Sequence, residues 1–251
     1  MKILSFIPAR GGSKGVYKKN IQKLNGHPLI AYTICSSLEC DLIHKTIVSS
    51  DDNDILDYAK EYGAEVLKRP KHLANDSSPT EPSIQHAVNE IEKSNFKPDF
   101  IILNQPTSPF RLVKDLKKAI GLLSSDIDAV MSLSPLPSHY HPKWLKEIRD
   151  EHVFSYENNS LVNHPIVETE KYWQRQQLNH DYYWKNGAIY IMSYESIMIN
   201  GHRYGNNCAP LIIPNDRLVN IDTKMDLDLA KFLIETNRIK LDFNIKRCKY
   251  V

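Results

Sequence analysis

The chain has 251 residues, of which 41% are hydrophobic and 25% charged. These proportions suit a soluble globular fold and exclude disordered, collagenous and low-complexity classes. Lys+Arg 32 against Asp+Glu 30 leaves a net charge of +2, no global signal for nucleic acid.

The first element is a short apolar run, Ile3 to Ile7, which reads as a buried strand ending at Pro8. It is too short for a signal peptide, and no stretch approaches the roughly 18 apolar residues of a membrane span. The expected location is the cytoplasm, with no membrane partner. A glycine- and lysine-rich loop follows over residues 9–20. His27-Pro28 then opens an amphipathic stretch, Leu29 to Leu38, predicted as a helix. Lys45 to Ser50 reads as a second strand, closed by an acidic run in which Asp54 is expected to cap the next helix. Ala64 to Leu67 is a short strand, and Pro82 to Lys93 a helix with Ile84, Ala87, Val88 and Ile91 on one side. Phe100 to Leu103 reads as a central strand, Leu112 to Leu123 as a helix and Ala129 to Leu133 as a strand.

The alternation breaks at about 136–184, a stretch with three prolines just after Pro135, five histidines and several aromatics. It is too apolar for a linker and too irregular for a core sheet, so it reads as an insertion that packs on something, such as a second subunit. Its histidines have no HxxxH or HExxH spacing that would hold a metal. Core order resumes at Gly187 to Met192. The closing helix, Thr223 to Ile234, is announced by the capping-box spacing of Thr223 and Asp226. The four cysteines have no CxxC spacing and read as isolated thiols. Together the elements predict an α/β doubly wound sheet in one domain, residues 1–251, with the insertion inside it.

The chemistry concentrates in Pro8-Ala9-Arg10-Gly11-Gly12-Ser13-Lys14-Gly15. In open α/β sheets, ligands bind at the carboxyl ends of strands. Glycines admit close backbone approach and expose N–H groups to anions. With Arg10, Lys14, Lys18 and Lys19 nearby, the natural partner is a compact polyanion such as a triphosphate. GxGxxG and GxxxxGK[ST] are both absent, which argues against a nicotinamide enzyme and a P-loop NTPase.

This loop, with Lys19-Asn20-Ile21 and Gly26-His27-Pro28-Leu29-Ile30, resembles the opening of the acylneuraminate cytidylyltransferases. These are the CMP–sialic acid synthetases and their legionaminic and pseudaminic acid relatives. The likeness continues in Val48-Ser49-Ser50-Asp51, Lys68-Arg69-Pro70 and Leu73-Ala74-Asn75-Asp76. It is strongest in Gln105-Pro106-Thr107-Ser108-Pro109-Phe110-Arg111 and returns in Asn186-Gly187-Ala188-Ile189-Tyr190 and Ile221-Asp222-Thr223. The blocks come in family order across residues 7 to 226.

The resemblance implies a Rossmann-like three-layer nucleotidyltransferase fold and a homodimer built through residues 136–184. It implies that CTP reacts with a nine-carbon 2-keto sugar acid to give a CMP-sugar and pyrophosphate, with Mg²⁺ or another divalent cation. An eight-carbon or amino-ulosonic acid substrate, or a catalytically weakened relative, stands as the alternative. Arg10, Lys14 and Lys19 are expected to stabilise the triphosphate, with Gly11, Gly12, Ser13 and Asn20 at the nucleotide and Arg69 and Thr80 at the cytosine. Gln105, Arg175, Asn186, Tyr190 and Lys143 are expected at the sugar, Arg175 from the partner subunit. Asp222 is the metal candidate and carries a catalytic role through it. Many relatives have a second aspartate where this chain has Asn220, so Asn220 brings an amide oxygen without charge.

Overall fold

Residues Ile3 to Ile7 are buried on both sides of β1 (Ile3–Pro8), as a central strand in a sheet covered on both faces must be. A computed structural model describes residues 1–155 and 181–248 of the chain. Contacts divide it into two compact units, Met1–Leu133 with Asn186–Val251, and Ser134–Lys185.

In the first unit the strands after β1 are β2 (Lys23–Leu24), β3 (His27–Pro28), β4 (Lys45–Ser50), β5 (Glu65–Lys68) and β6 (Phe100–Leu103). β1 pairs in parallel with β4 and β6, setting Phe6 beside Ile47 on one side and Leu103 on the other. β5 extends the sheet in parallel beyond β4. β7 (Ala129–Pro135) and β10 (Tyr183–Ser193) lead into and out of the second unit. β10 runs antiparallel to β6, with Tyr190 opposite Leu103. β11 (Cys208–Ile212) lies parallel to β7 at the far edge, so the order is β11-β7-β10-β6-β1-β4-β5. This mostly parallel sheet is the predicted α/β architecture. β11 was not predicted, because Pro210 interrupts a five-residue run and is tolerated only at an edge. β2 and β3 form a small hairpin whose Asn25 and Gly26 both take positive φ, the two-residue turn that Asn-Gly favours.

The two faces of the sheet carry separate cores, giving three layers. Ile3 and Ile7 of β1 meet α1 (Leu29–Leu38), α2 (Asn53–Glu61), α4 (Val113–Gly121) and α6 (Lys224–Glu235). Leu4 and Phe6 meet α3 (Thr80–Glu92) and α5 (Tyr194–Met198). A last short helix, α7 (Ile245–Cys248), ends the described chain.

Two local expectations need correction. α1 is not amphipathic: every residue from Leu29 to Ser37 is buried. Its polar residues are satisfied internally, Ser37 Oγ donating to the Thr33 carbonyl at 2.8 Å and Ser5 Oγ to Ser37 Oγ at 3.0 Å. The cap of α2 is Asp52 rather than Asp54, its Oδ1 accepting from Asp54 N at 2.8 Å and Ile55 N at 3.4 Å. A run of adjacent acids offers several caps, and only the backbone path selects one. α6 keeps its predicted box, with Thr223 N donating to Asp226 Oδ2 at 2.7 Å and Asp226 N to Thr223 Oγ1 at 3.3 Å.

Within the second unit, β8 (Lys146–Arg149) and β9 (His152–Ser155) form an antiparallel hairpin. Its turn places Asp150 and Glu151 at positive φ.

Candidate active site

The carboxyl ends of β6, β1, β4 and β5 lie side by side, and the loops leaving β1, β5 and β6 build two adjoining cavities. One, of about 260 Å³, is lined by Arg69, Leu73, Asp76, Thr80 and Ser83 among others. The other, of about 360 Å³, is lined by Ser13, Lys14, Lys19, Asn20, Thr107 and Asp222 among others. Pro8, Arg10 and Gln105 line both.

The loop after β1 is held by its own backbone. Ala9 N donates to the Ser49 carbonyl at 3.0 Å, and Gly11 N to Asp51 Oδ1 at 2.9 Å. Asn20 is buried, and its side-chain amide donates to the Arg10 carbonyl at 2.9 Å. Asn20 therefore shapes the loop that it also lines. Two glycines are required by close approach. A Cβ on Gly11 would sit 2.7 Å from Asp52 Oδ2, and one on Gly15 would collide with the Asp222 carbonyl. The second contact ties the loop to the segment before α6. Gly12 has open space around it, and neither Gly11 nor Gly12 lines either of these two cavities.

The four cations of the loop pair with three carboxylates. Lys18 pairs with Asp54 at 2.7 Å, facing α2. Lys19 donates to Asp222 Oδ1 at 2.9 Å and to the Ile221 carbonyl at 2.8 Å, which fixes it in the second cavity. Arg10 Nη1 lies 2.5 Å from Asp76 Oδ1, and Lys14 Nζ 2.6 Å from Asp76 Oδ2. The hydrogen bonds from Lys14 and Arg10 hold the Asp76 carboxyl below the usual carboxylate range.

Arg69 and Thr80 meet in the first cavity, although eleven positions separate them in the chain. Arg69 is buried, and its guanidinium donates to Ser49 Oγ at 3.1 Å and the Ser49 carbonyl at 2.8 Å. Burial pulls its pKa down to about 10, Asp51 opposing the effect and Arg10 adding to it. Thr80 stands in the first turn of α3.

Gln105 follows β6 and faces both cavities, with Gly187 behind it: a Cβ there would lie 3.1 Å from Gln105 Oε1. Its backbone is held by Arg111, fully buried, which donates to the Gln105 carbonyl at 3.0 Å and the Ala188 carbonyl at 2.7 Å. Burial lowers the Arg111 pKa to about 9. The last residue of the Gln105–Arg111 motif thus supports its first.

Asn186 is 1% exposed, and its Oδ1 accepts from Ser132 Oγ at 2.6 Å and Ala188 N at 3.0 Å. Tyr190 is buried in the core between β10 and α3, with the Arg203 guanidinium 5.7 Å from its ring centre. Burial pushes its phenol up to about 12. Neither residue lines a cavity described above. Lys143 belongs to the second unit, where its backbone N donates to His141 Nδ1 at 3.2 Å. Arg175 lies outside the described residues.

Asp222 is largely exposed, and Asn220 Nδ2 lies 3.3 Å from its Oδ2. Among the described residues no group of three or more His, Cys, Asp or Glu side chains gathers to hold a metal. One carboxylate, an amide oxygen and substrate phosphates nevertheless fit Mg²⁺, which keeps several waters and takes few protein ligands. Asp76 is the site residue that sequence reasoning missed. It sits in the Leu73–Asp76 block, but nothing in a lone turn aspartate names the two cations it meets.

A family model described as Cytidylyltransferase matches residues 4–186. The chain is 31% identical over 240 residues to CMP-N,N'-diacetyllegionaminic acid synthase of Legionella pneumophila, covering 95% of this chain and 98% of that protein. It is 30% identical over 245 residues to N-acylneuraminate cytidylyltransferase of Escherichia coli, covering 96% of this chain and 54% of that one. Among solved structures, a CMP:2-keto-3-deoxy-manno-octonic acid synthetase complexed with CTP superposes with a TM-score of 0.67 at 14% identity. That match covers 94% of this chain and all of the other, and it bears on the fold alone.

Proposed function

Since the chain belongs to the cytidylyltransferase family, we propose that it joins CTP to a nine-carbon 2-keto sugar acid of the sialic, legionaminic or pseudaminic type, releasing pyrophosphate. It is a nucleotidyltransferase. The observation that carries the reading is the pair of cavities sharing Arg10 and Gln105.

The cytosine and ribose occupy the cavity of Arg69 and Thr80, and the triphosphate crosses Arg10 toward Lys14 and Lys19. There is little covalent work for the protein in such a transfer, so rate comes from positioning and from charge placed where charge develops. The anomeric hydroxyl of the sugar attacks the α-phosphorus, and pyrophosphate leaves with its electron pair. Arg10, Lys14 and Lys19 neutralise the departing group. Gln105 offers two amide donors and an acceptor to the sugar's hydroxyl or acylamino groups. Asn186 and Tyr190 hold the strand behind it, Gly11 and Gly12 give the loop its path, with Gly11 N held by Asp51, and Ser13 lines the phosphate cavity. Asp222, helped by the Asn220 amide oxygen, would hold Mg²⁺, which neutralises phosphate charge when bound.

The active form is a homodimer, with residues 136–184 of one chain, including Arg175 and Lys143, completing the sugar site of the other. The aromatic and arginine content of that stretch supports it, since interface cores favour those residues. No described helix is long and apolar enough to cross a membrane, in keeping with a cytoplasmic enzyme.

The test is pyrophosphate release from each nucleoside triphosphate with a panel of sugar acids. Turnover confined to CTP and a nine-carbon acid is expected. Turnover with an eight-carbon acid alone, or none with CTP, would overturn the reading.

A further inference from the structure

We propose that the Asp76 carboxylate is a resident competitor for the triphosphate, weakening every phosphate ligand of the loop by one common factor. The proposal rests on the reading of Arg10 and Lys14 as phosphate-binding groups. Asp76 stands between the helical turn Lys71–Leu73 and α3, on the wall of the cavity that holds Arg69 and Thr80. Lys14 lines the neighbouring cavity, and Arg10 lines both. The two ion pairs, at 2.5 and 2.6 Å, therefore run across the passage by which a nucleotide in one cavity would extend its phosphates into the other.

Both carboxylate oxygens are engaged, one by each cation. A phosphate that takes those cations must first displace Asp76, and the freed carboxylate then faces an anion of its own sign. A ligand without phosphate has no such step. In linkage terms the latched state is a competing equilibrium, which multiplies the dissociation constant of any ligand needing the open loop. The same factor favours pyrophosphate departure, because the carboxylate retakes the two cations as the product leaves. The pairs are partly exposed, with side-chain exposures of 34% for Arg10, 81% for Lys14 and 41% for Asp76. Exposed pairs are individually weak, so their combined effect on affinity is about two- to tenfold, declining as salt screens it.

The test is calorimetric binding of CTP, pyrophosphate and cytidine to the wild-type chain and to Asp76→Asn, which keeps shape and removes charge. Asp76→Ser serves as a second variant, and circular dichroism checks the fold of both. We expect CTP and pyrophosphate to tighten about two- to tenfold by similar factors, cytidine to stay unchanged, and the ratios to shrink in high salt. Unchanged or weaker CTP and pyrophosphate binding in both folded variants would overturn the proposal, assigning Asp76 to holding the cations in place. Failure of the wild-type chain to bind CTP would refute the functional reading instead, so the two failures are distinguishable.

Discussion

Asn186→Ala separates a residue that builds the sheet from one that touches a substrate. The side chain is 1% exposed, so water cannot replace what the substitution removes. Two donors lose their acceptor, the Ser132 hydroxyl at 2.6 Å and the Ala188 N–H at 3.0 Å. The Ser132 oxygen still accepts from Ile189 N at 2.8 Å, which limits its freedom to turn elsewhere. A buried donor left unsatisfied costs about 1–3 kcal/mol. Two of them give about 2–6 kcal/mol, before any loss of packing. For a chain of this size that lowers the melting temperature by about 4–24 °C, at about 2–4 °C per kcal/mol. Urea denaturation with linear extrapolation measures the loss, and steady-state kinetics on the folded fraction measures KM for the sugar acid. A loss below about 1 kcal/mol, with KM for the sugar raised severalfold, would refute the reasoning and put the side chain at the substrate.

Three further outcomes follow from the same geometry. Arg10→Ala should lower turnover by about 10²–10³ with the fold intact, and near-normal kinetics would remove Arg10 from the phosphate site. Asp222→Asn should abolish metal-dependent activity, whereas Asn220→Asp, 3.3 Å from Asp222, should tighten the divalent ion. Mn²⁺ binding in the presence of CTP, followed by electron paramagnetic resonance, reads both changes. Mixing the inactive variants Arg10→Ala and Arg175→Ala should restore part of the turnover, because one site of a mixed dimer has both groups intact. No recovery after verified subunit exchange would reject the shared site.

The fold was legible where periodicity has one meaning. Ile3 to Ile7 and Phe100 to Leu103 are apolar on both sides, and only a covered strand suits them. α1 misled because Thr33, Ser36 and Ser37 look like a polar face. They are buried with their hydroxyls bonded to the chain, which no residue count reveals. β11 was invisible because Pro210 argues against a strand everywhere except at an edge. In the site, glycines and cations announced an anion loop, and the structure gathers Arg10, Lys14, Lys19, Asn20, Gln105 and Asp222 around one cavity. The sequence held no sign of Asp76 as the shared partner of Arg10 and Lys14, since that pairing depends on how two loops far apart in the chain are brought together.

The order of the strands also bears on how the protein is made. β10 lies between β6 and β7 in the sheet, yet it follows both in the chain, after the excursion through residues 134–185. While a ribosome has released only the chain through Pro135, the place beside β6 is unfilled and its edge is open, and β7 still lacks both of its sheet neighbours, β10 and β11. Such edges recruit strands from other chains. At about 5–20 residues per second, the strand that closes the gap emerges about 3–12 s later. Synthesis of the excursion is therefore a waiting period for the nascent sheet. Lengthening that segment extends the wait and raises the demand on chaperones, and slower growth at low temperature favours β10 only if the rival strands are slowed more.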